Sequence, residues 1–309
     1  CIIRNLSLIF SAPFHILTVG INMTEMRKHY IYTFLIIIFS GCGAPMKMNV
    51  KGNTEIKLSP LKNNQTVVVI EENENLPNSK SNIKIGEFSV KTGLSIDCSY
   101  DRVKEIAKQK ARNVGGNTIK LTEHKLPNAW NLCHRIEFEV YKLDDVSEFQ
   151  KELIWSETEQ LKWEYFKASP RFDRMSYFCA YIKAQFNDQN VLNGKGNIYV
   201  APIFMFDCSY VQPLEKNKFL LEYNQLKFDL LEIYSRKLRK EYSTSGIDTY
   251  EKWEKFWESI YDKVLNDLKT DLYNVELETN FGENHSGLVS WKFKVENDLK
   301  KLTEYSSEK

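Results

Sequence analysis

Residues 218–242 read KFLLEYNQLKFDLLEIYSRKLRKEY, and this stretch decides how the second half of the chain is understood. Its apolar residues recur every three or four positions with no Pro or Gly among them, which predicts an amphipathic helix. It bears no evident catalytic group. Two strand-like segments precede it, SYFCAYIKAQF (176–186) and GNIYVAPIFMFDCSYV (196–211), joined by the polar turn NDQNVLNGKGN. After it comes IDTYEKWEKFWESIYDKVLNDLKTDLYN, with Tyr250, Trp253, Phe256, Trp257, Ile260, Val264 and Leu268 on one helical face. A last helix is expected in GLVSWKFKVENDLKKL. Strands followed by long helices predict an α+β unit over residues 150–303.

An earlier unit is expected over 66–143. TVVVIEE and IKIGEFSV are strand-like, and NTIKLTEHK and HRIEFEVYKL alternate apolar and polar residues as half-buried strands do. SYDRVKEIAKQKARNVGG predicts a helix capped by Ser99 and ended by Gly115, with Val103, Ile106, Ala107, Ala111 and Val114 inward. The fold class is therefore α+β twice over, in two small domains.

The beginning of the chain reads differently. Residues 26–42 carry Arg27, Lys28 and His29, then an apolar run over 30–39, then small residues and Cys42. This is the build of a secretory signal peptide. The run is short of the roughly 20 residues that span a bilayer. The segment FSGC (39–42) is similar to a bacterial lipobox, with Phe39 where an aliphatic residue is usual. The expectation is a start at Met26, residues 1–25 as upstream translation, 26–41 as a lipoprotein signal peptide and Cys42 as the lipidated first residue. An uncleaved anchor helix is the alternative. Residues 42–65, polar and punctuated by Gly, Pro and Asn, are expected to form a tether. This implies a cell-envelope, lipid-anchored protein at the outer membrane facing the periplasm, with the membrane as one partner and an envelope protein or peptide as another.

Formal net charge is +1, so nothing in the charge balance points to nucleic acid. The 18 Phe and 16 Tyr supply enough apolar surface to exclude a disordered chain. Of the six cysteines, Cys98, Cys133, Cys179 and Cys208 remain once Cys1 and Cys42 are set aside. Export permits disulfides, and no C-x-x-C spacing suggests a zinc knuckle. Cys179 and Cys208 fall on neighbouring expected strands, as a disulfide or as core thiols.

The segment CSYDRVKEIAKQKARNVGGNTIKLTEH…CHRIEFEVYKL resembles small Bacteroidetes-type lipoprotein domains and, more distantly, the outer-membrane stress-sensor lipoproteins of the Rcs pathway. In such domains a disulfide staples helix to sheet, which implies a Cys98–Cys133 bond; two buried free thiols are the alternative.

The order of segments in the second unit resembles the secreted zinc-dependent protease family known as the domain of unknown function 922. LKWEYFK (Trp163, Tyr165, Phe166), IFMFDCSYV, FLLEYNQLKFDLLEIYSRKLRK and LETNFGEN stand at that family's four motifs in order. The resemblance implies a zincin-like fold. The family chemistry needs H-E-x-x-H, in which two histidines at i and i+4 hold zinc and the glutamate polarises water. Here the histidine positions are Tyr223 and Lys227, the glutamate position is Asn224, and the histidine of the last motif is Phe281. Leu220, Leu221, Gln225, Phe228, Asp229, Glu232, Tyr234 and Arg236 match the family. Asp229 and Glu232 are spaced as potential ligands, but second-shell or structural hydrogen bonds are what the family implies for them. Lys227 is expected to pair with Asp229 or another carboxylate, or to point to solvent; Tyr223 and Phe281 are expected to fill the emptied cleft.

The conclusion from sequence is a non-catalytic envelope lipoprotein with a degenerate protease-like domain, no cofactor and a binding or structural role. Two other functions stay open: a divergent zinc peptidase with relocated ligands, for which His285 is a candidate, and an envelope stress or redox sensor. Ser290 and His285 make no Ser-His-Asp signature. His124 and His134 flank a loop with Trp130 and Cys133, as a possible metal site or as ordinary histidines. Lys237, Arg239 and Lys240 are expected to favour the negative pole of a helix end.

Overall fold

The computed structural model describes residues 48–77, 81–92, 99–171, 174–190 and 195–307. Residues 26–42, with the expected signal peptide and Cys42, lie outside them, as does Cys98.

The class is α+β, as expected. The first unit is a five-stranded sheet in the order β1-β3-β5-β4-β2. Its strands are β1 (Met48–Thr54), β2 (Val68–Ile70), β3 (Ile83–Thr92), β4 (Thr118–Lys125) and β5 (Arg135–Lys142). All pairs are antiparallel except β2 with β4. Helix α1 (Tyr100–Asn113) lies across one face. Ser99 caps it by accepting from the Arg102 N–H, and Val103, Ala107 and Ala111, one turn apart each, are fully buried. They pack on Ile85, Phe88, Val90, Ile119, Leu121, Ile136, Phe138 and Val140. Small side chains at 107 and 111 let the helix approach the sheet. Gly115, at φ 85°, reverses the chain after the helix, and a Cβ on Gly116 would lie 2.2 Å from Val140 Cγ1. Only glycine fits that closure.

One expectation is corrected here. Residues 48–54, assigned to the tether, form edge strand β1. The segment has too little apolar alternation to announce itself. Its place is decided by pairing with β3, where Gly52 lies so close that a Cβ would meet Glu87 O at 2.1 Å.

The second unit has a sheet ordered β6-β9-β8, from Glu152–Ile154, Lys195–Met205 and Ala180–Asn190, and a two-stranded ribbon of β7 (Ser176–Tyr177) with β10 (Tyr210–Val211). Helix α2 (Lys218–Ser245) packs on β9. The Asn217 side chain caps its start by accepting from Leu220 N–H, and Gly246 ends it in the left-handed conformation. At 28 residues it is about 42 Å long. Its buried residues run round the cylinder because α4 (Asp262–Thr279) and α5 (His285–Lys301) cover the sides the sheet leaves. Between α2 and α4 lie α3 (Tyr250–Phe256) and a π-helical turn (Trp257–Tyr261). Of the predicted apolar face, Trp253, Val264 and Leu268 are buried, while Phe256, Trp257 and Ile260 are only partly so. Among the described residues no helix is long and apolar enough to cross a membrane.

The two units meet through charge. Lys108 on α1 bonds Glu152 on β6 at 2.9 Å and lies 3.3 Å from Glu105, which also pairs with Lys183 on β8. Burial would raise the Glu105 carboxyl, but the Lys108 and Lys183 ammoniums outweigh it and hold the pKa at about 2. None of these four residues stands out in the sequence, because the ladder exists only once α1 lies beside the second sheet.

Candidate functional site

Tyr223, Asn224 and Lys227 lie at i, i+1 and i+4 on α2, so the helix turns all three toward one side. All are buried, at 2%, 0% and 9% exposure. Asn224 donates through Nδ2 to Leu220 O at 2.8 Å and to Ser176 Oγ on β7 at 3.2 Å. The turn between α4 and α5 closes over the same side. A Cβ on Gly282, at φ 97°, would sit 2.9 Å from the Tyr223 Cβ. Asn280 and Phe281 also hold positive φ, at 45° and 56°. For a bulky residue such as Phe281 that backbone is costly. The turn is held by Phe281 N–H to Glu276 O at 3.1 Å, Gly282 N–H to Thr279 O at 3.0 Å and Asn284 N–H to Thr279 O at 2.7 Å. Residues separated by more than fifty positions, Tyr223 and Gly282, are thus brought together.

Two side-chain expectations are corrected. Lys227 neither pairs with Asp229 nor reaches solvent. Its ammonium lies 4.3 Å from the centroid of the Tyr223 ring and 5.0 Å from that of Phe178, and it makes no ion pair among the described residues. Burial pushes its pKa down to about 7, against the pull of Glu276 and with a contribution from Arg174. Phe281 does not fill the cleft: its ring is 49% exposed, because the left-handed backbone aims it outward while Gly282 makes the contact with Tyr223. Tyr223 does fill the space. Its Oη and the Asn224 Oδ1 are buried without a hydrogen-bond partner.

A zinc ion does not fit these residues. The phenol, carboxamide and amine of Tyr223, Asn224 and Lys227 are none of the imidazole, thiolate or carboxylate groups that zinc takes. Among the described residues no group of three His, Cys, Asp or Glu could hold a metal. His285 lies at the first position of α5 with its ring stacked on Phe219, centroids 3.5 Å apart. Ser290 lies further along the same helix.

No family model matches this chain, nor does any curated protein or solved structure.

The residues expected to serve structure do so through specific bonds. Asp229 Oδ1 accepts from Trp155 Nε1 at 2.8 Å and from Gln225 Nε2 at 2.7 Å, while Gln225 Oε1 accepts from the Leu161 N–H at 2.7 Å. Burial raises the Asp229 pKa to about 6 even against these donors. Glu232, fully buried, accepts from Arg236 Nε at 2.8 Å and from Arg239 Nη2 at 2.8 Å. Arg236 donates onward to Leu299 O at 2.7 Å and Glu157 Oε1 at 3.1 Å, and Arg239 to Val200 O at 3.0 Å and to Tyr305 O. Tyr234 Oη donates to Asp271 at 2.7 Å. Asp229 and Glu232 are thereby committed to Trp155, Gln225 and two arginines. The assignment of Arg239 to a helix end is also corrected: α2 runs on to Ser245, and Arg239 belongs to this network. The spacing E-x-x-x-R-x-x-R was the available signal. Lys237 covers the Tyr234 ring at 3.7 Å.

Cys179 and Cys208 form a disulfide, with Cα atoms 5.7 Å apart, joining the start of β8 to the turn after β9. Cys133 is also disulfide-bonded. It therefore offers no thiolate to His124 and His134, whose ring nitrogens lie 2.8 Å apart in hydrogen bond. His124 stacks on Tyr100, centroids 4.0 Å apart, and its pKa is lowered, first by burial and then by His134.

Proposed function

We propose that this is a lipid-anchored protein of the bacterial cell envelope whose second unit is a protease-like scaffold repacked without its metal, acting by binding rather than hydrolysis. One observation carries the reading: Lys227, at the position of the second H-E-x-x-H histidine, is buried between two aromatic rings, 4.3 and 5.0 Å from their centroids. The protonated group repels a divalent cation, and the neutral amine is not among the imidazole, thiolate or carboxylate ligands that zinc takes. The turn that the resemblance aligns with the family's third ligand closes on Tyr223 with glycine backbone and an outward Phe281. The helix, its supporting bonds to Trp155 and Leu161 and the closing turn support a retained framework. The replaced groups support a changed use of it. The peptide-binding role rests on the resemblance and on the envelope location implied by residues 26–42.

Elemental analysis and a peptidase assay on the purified chain test this. The expected result is less than stoichiometric zinc and no chelator-sensitive hydrolysis. One zinc per chain, lost together with peptide hydrolysis on chelation, sinks it. Restoring the helix positions (Tyr223→His, Asn224→Glu, Lys227→His) is expected to raise zinc uptake above that of the wild type, and adding Phe281→His, whose position faces outward, to add little.

A further inference from the structure

The β4–β5 connection exposes three large apolar side chains: Trp130 at 97%, Leu132 at 73% and Leu126 at 65%. They are not on a loose loop. Asn128 and Asn131 exchange backbone hydrogen bonds at 2.8 and 3.1 Å. The Asn128 Oδ1 accepts from the Trp130 and Asn131 N–H groups at 3.0 and 2.8 Å, and the Asn131 Oδ1 from the Cys133 N–H at 3.1 Å. The Arg135 guanidinium bonds Leu126 O at 3.4 Å, and Cys133 is disulfide-bonded at the base. A turn so braced holds an indole out in water, which costs hydration free energy unless something covers it.

The register of the sheet shows where that turn points. Val50 pairs with Val90, Val90 with Ile136, and Ile136 with His124. Met48, Thr92, His134 and Leu126 are each two residues further along their strands, at one end of the sheet. The chain therefore enters the described fold at the same end from which Trp130 projects. Cys42 precedes Met48 by six residues, a reach of about 20 Å when extended. Three strand spacings separate β1 from β4 across the sheet, about 14 Å. A lipid on Cys42 and the Trp130 turn can therefore reach one surface together.

The chemistry of that end suits a bilayer. Behind the turn, a groove of about 250 Å³ is lined by Lys91, Lys125, Arg135, Glu123, Glu137 and Asn131. Cations with carboxylates among them match zwitterionic headgroups, which carry a phosphate and an ammonium. Indole prefers the headgroup level, and leucine the acyl boundary beneath it.

We infer that the Leu126, Trp130 and Leu132 turn is a second membrane contact, which seats the end of the first sheet on the bilayer that holds the Cys42 lipid. This rests on the lipid-anchor reading. Two attachments a short tether apart reinforce each other, because the first raises the local concentration of the second. The contact restricts swivelling of the first unit about its tether. Through the Glu105, Lys108, Glu152 and Lys183 ladder it restricts the second unit also.

The test uses the full chain, expressed with labelled palmitate, purified and added to phosphatidylethanolamine vesicles containing phosphatidylcholine brominated near the top of its acyl chains. Bromine quenches a tryptophan that enters the interface. Quenching is expected in the wild type and lost in Trp130→Phe, whose ring at 97% exposure supports no core packing. Leu126→Ser with Leu132→Ser, which keeps the indole, is expected to weaken the quenching and red-shift the quenched emission. Label on Cys42 without any Trp130-dependent quenching overturns the inference and leaves the anchor standing, as does capture of the turn by a second protein with no quenching. Trp130-dependent quenching without label keeps the membrane contact and overturns the lipid anchor.

Discussion

The Lys227 ammonium lies 4.3 Å from the centre of the Tyr223 ring, one helical turn away on the same buried side of α2. An aromatic face attracts a cation, but a ring offers far less than the water that burial removes. Lys227 is thus held in a place that suits its neutral form.

That predicts a pH dependence of known sign. The folded pKa is near 7 and the ordinary value 10.5. Between those values the unfolded chain binds the extra proton, so stability rises with pH across that window. Below about 7 the full cost is present, on the order of 5 kcal/mol. Lys227→Met keeps the volume and removes the charge. It is expected to raise the unfolding free energy at pH 6 by about 1–4 kcal/mol and to flatten the rise between pH 7 and 10. Denaturant titrations of both proteins across that range measure it; equal stability at pH 6 would count against a buried ammonium.

Glu232 is the opposite case, a buried charge with two cationic partners. Glu232→Gln leaves Arg236 and Arg239 under-compensated and is expected to cost about 3–5 kcal/mol. Urea unfolding measures this, and a loss under about 1 kcal/mol would mean that the arginines find other partners.

The Cys179–Cys208 bond closes a loop of 29 residues in sequence separation. Constraining the unfolded chain over that length contributes about 3–4 kcal/mol. Cys179→Ser with Cys208→Ser is expected to lose that amount in thermal or denaturant unfolding without reductant. The same variant is expected to keep its secondary structure by circular dichroism, since the β8–β9 pairing runs well beyond the bond.

Glu105 tests the junction of the units. Its folded pKa, about 2, is below the ordinary 4.5, so its contribution is present above 4.5 and is lost as pH falls toward 2. Part of the side chain is open to solvent, so Glu105→Gln is expected to cost only about 1–2 kcal/mol at pH 7 and nothing near pH 2. If the units then separate, limited proteolysis between residues 143 and 152 should quicken at pH 7.

Several features were present in the local pattern alone. Ser99, the Val103, Ala107 and Ala111 spacing and Gly115 delimit α1 because capping, periodicity and positive φ are properties of a few consecutive residues. The α2 helix and the long β8–β9 hairpin follow from periods of 3.6 and 2 in the same way, and the pairing of Cys179 with Cys208 follows from the adjacency of those strands.

What Lys227, Asp229 and Phe281 do was settled by tertiary packing. Whether Lys227 points to water, to Asp229 or between two rings depends on Phe178, which is 49 positions away in sequence. Asp229 was unavailable because Trp155 and Gln225 had already taken it. Phe281 faces outward because a left-handed turn, required to bring Gly282 onto Tyr223, leaves its ring no other direction. Strand β1 and the charge ladder between the units were equally invisible, since each draws its stability from a partner surface the chain meets only on folding. Local sequence sets torsion preferences and periodicity; burial, and with it charge state and hydrogen-bond partner, belongs to the assembled core.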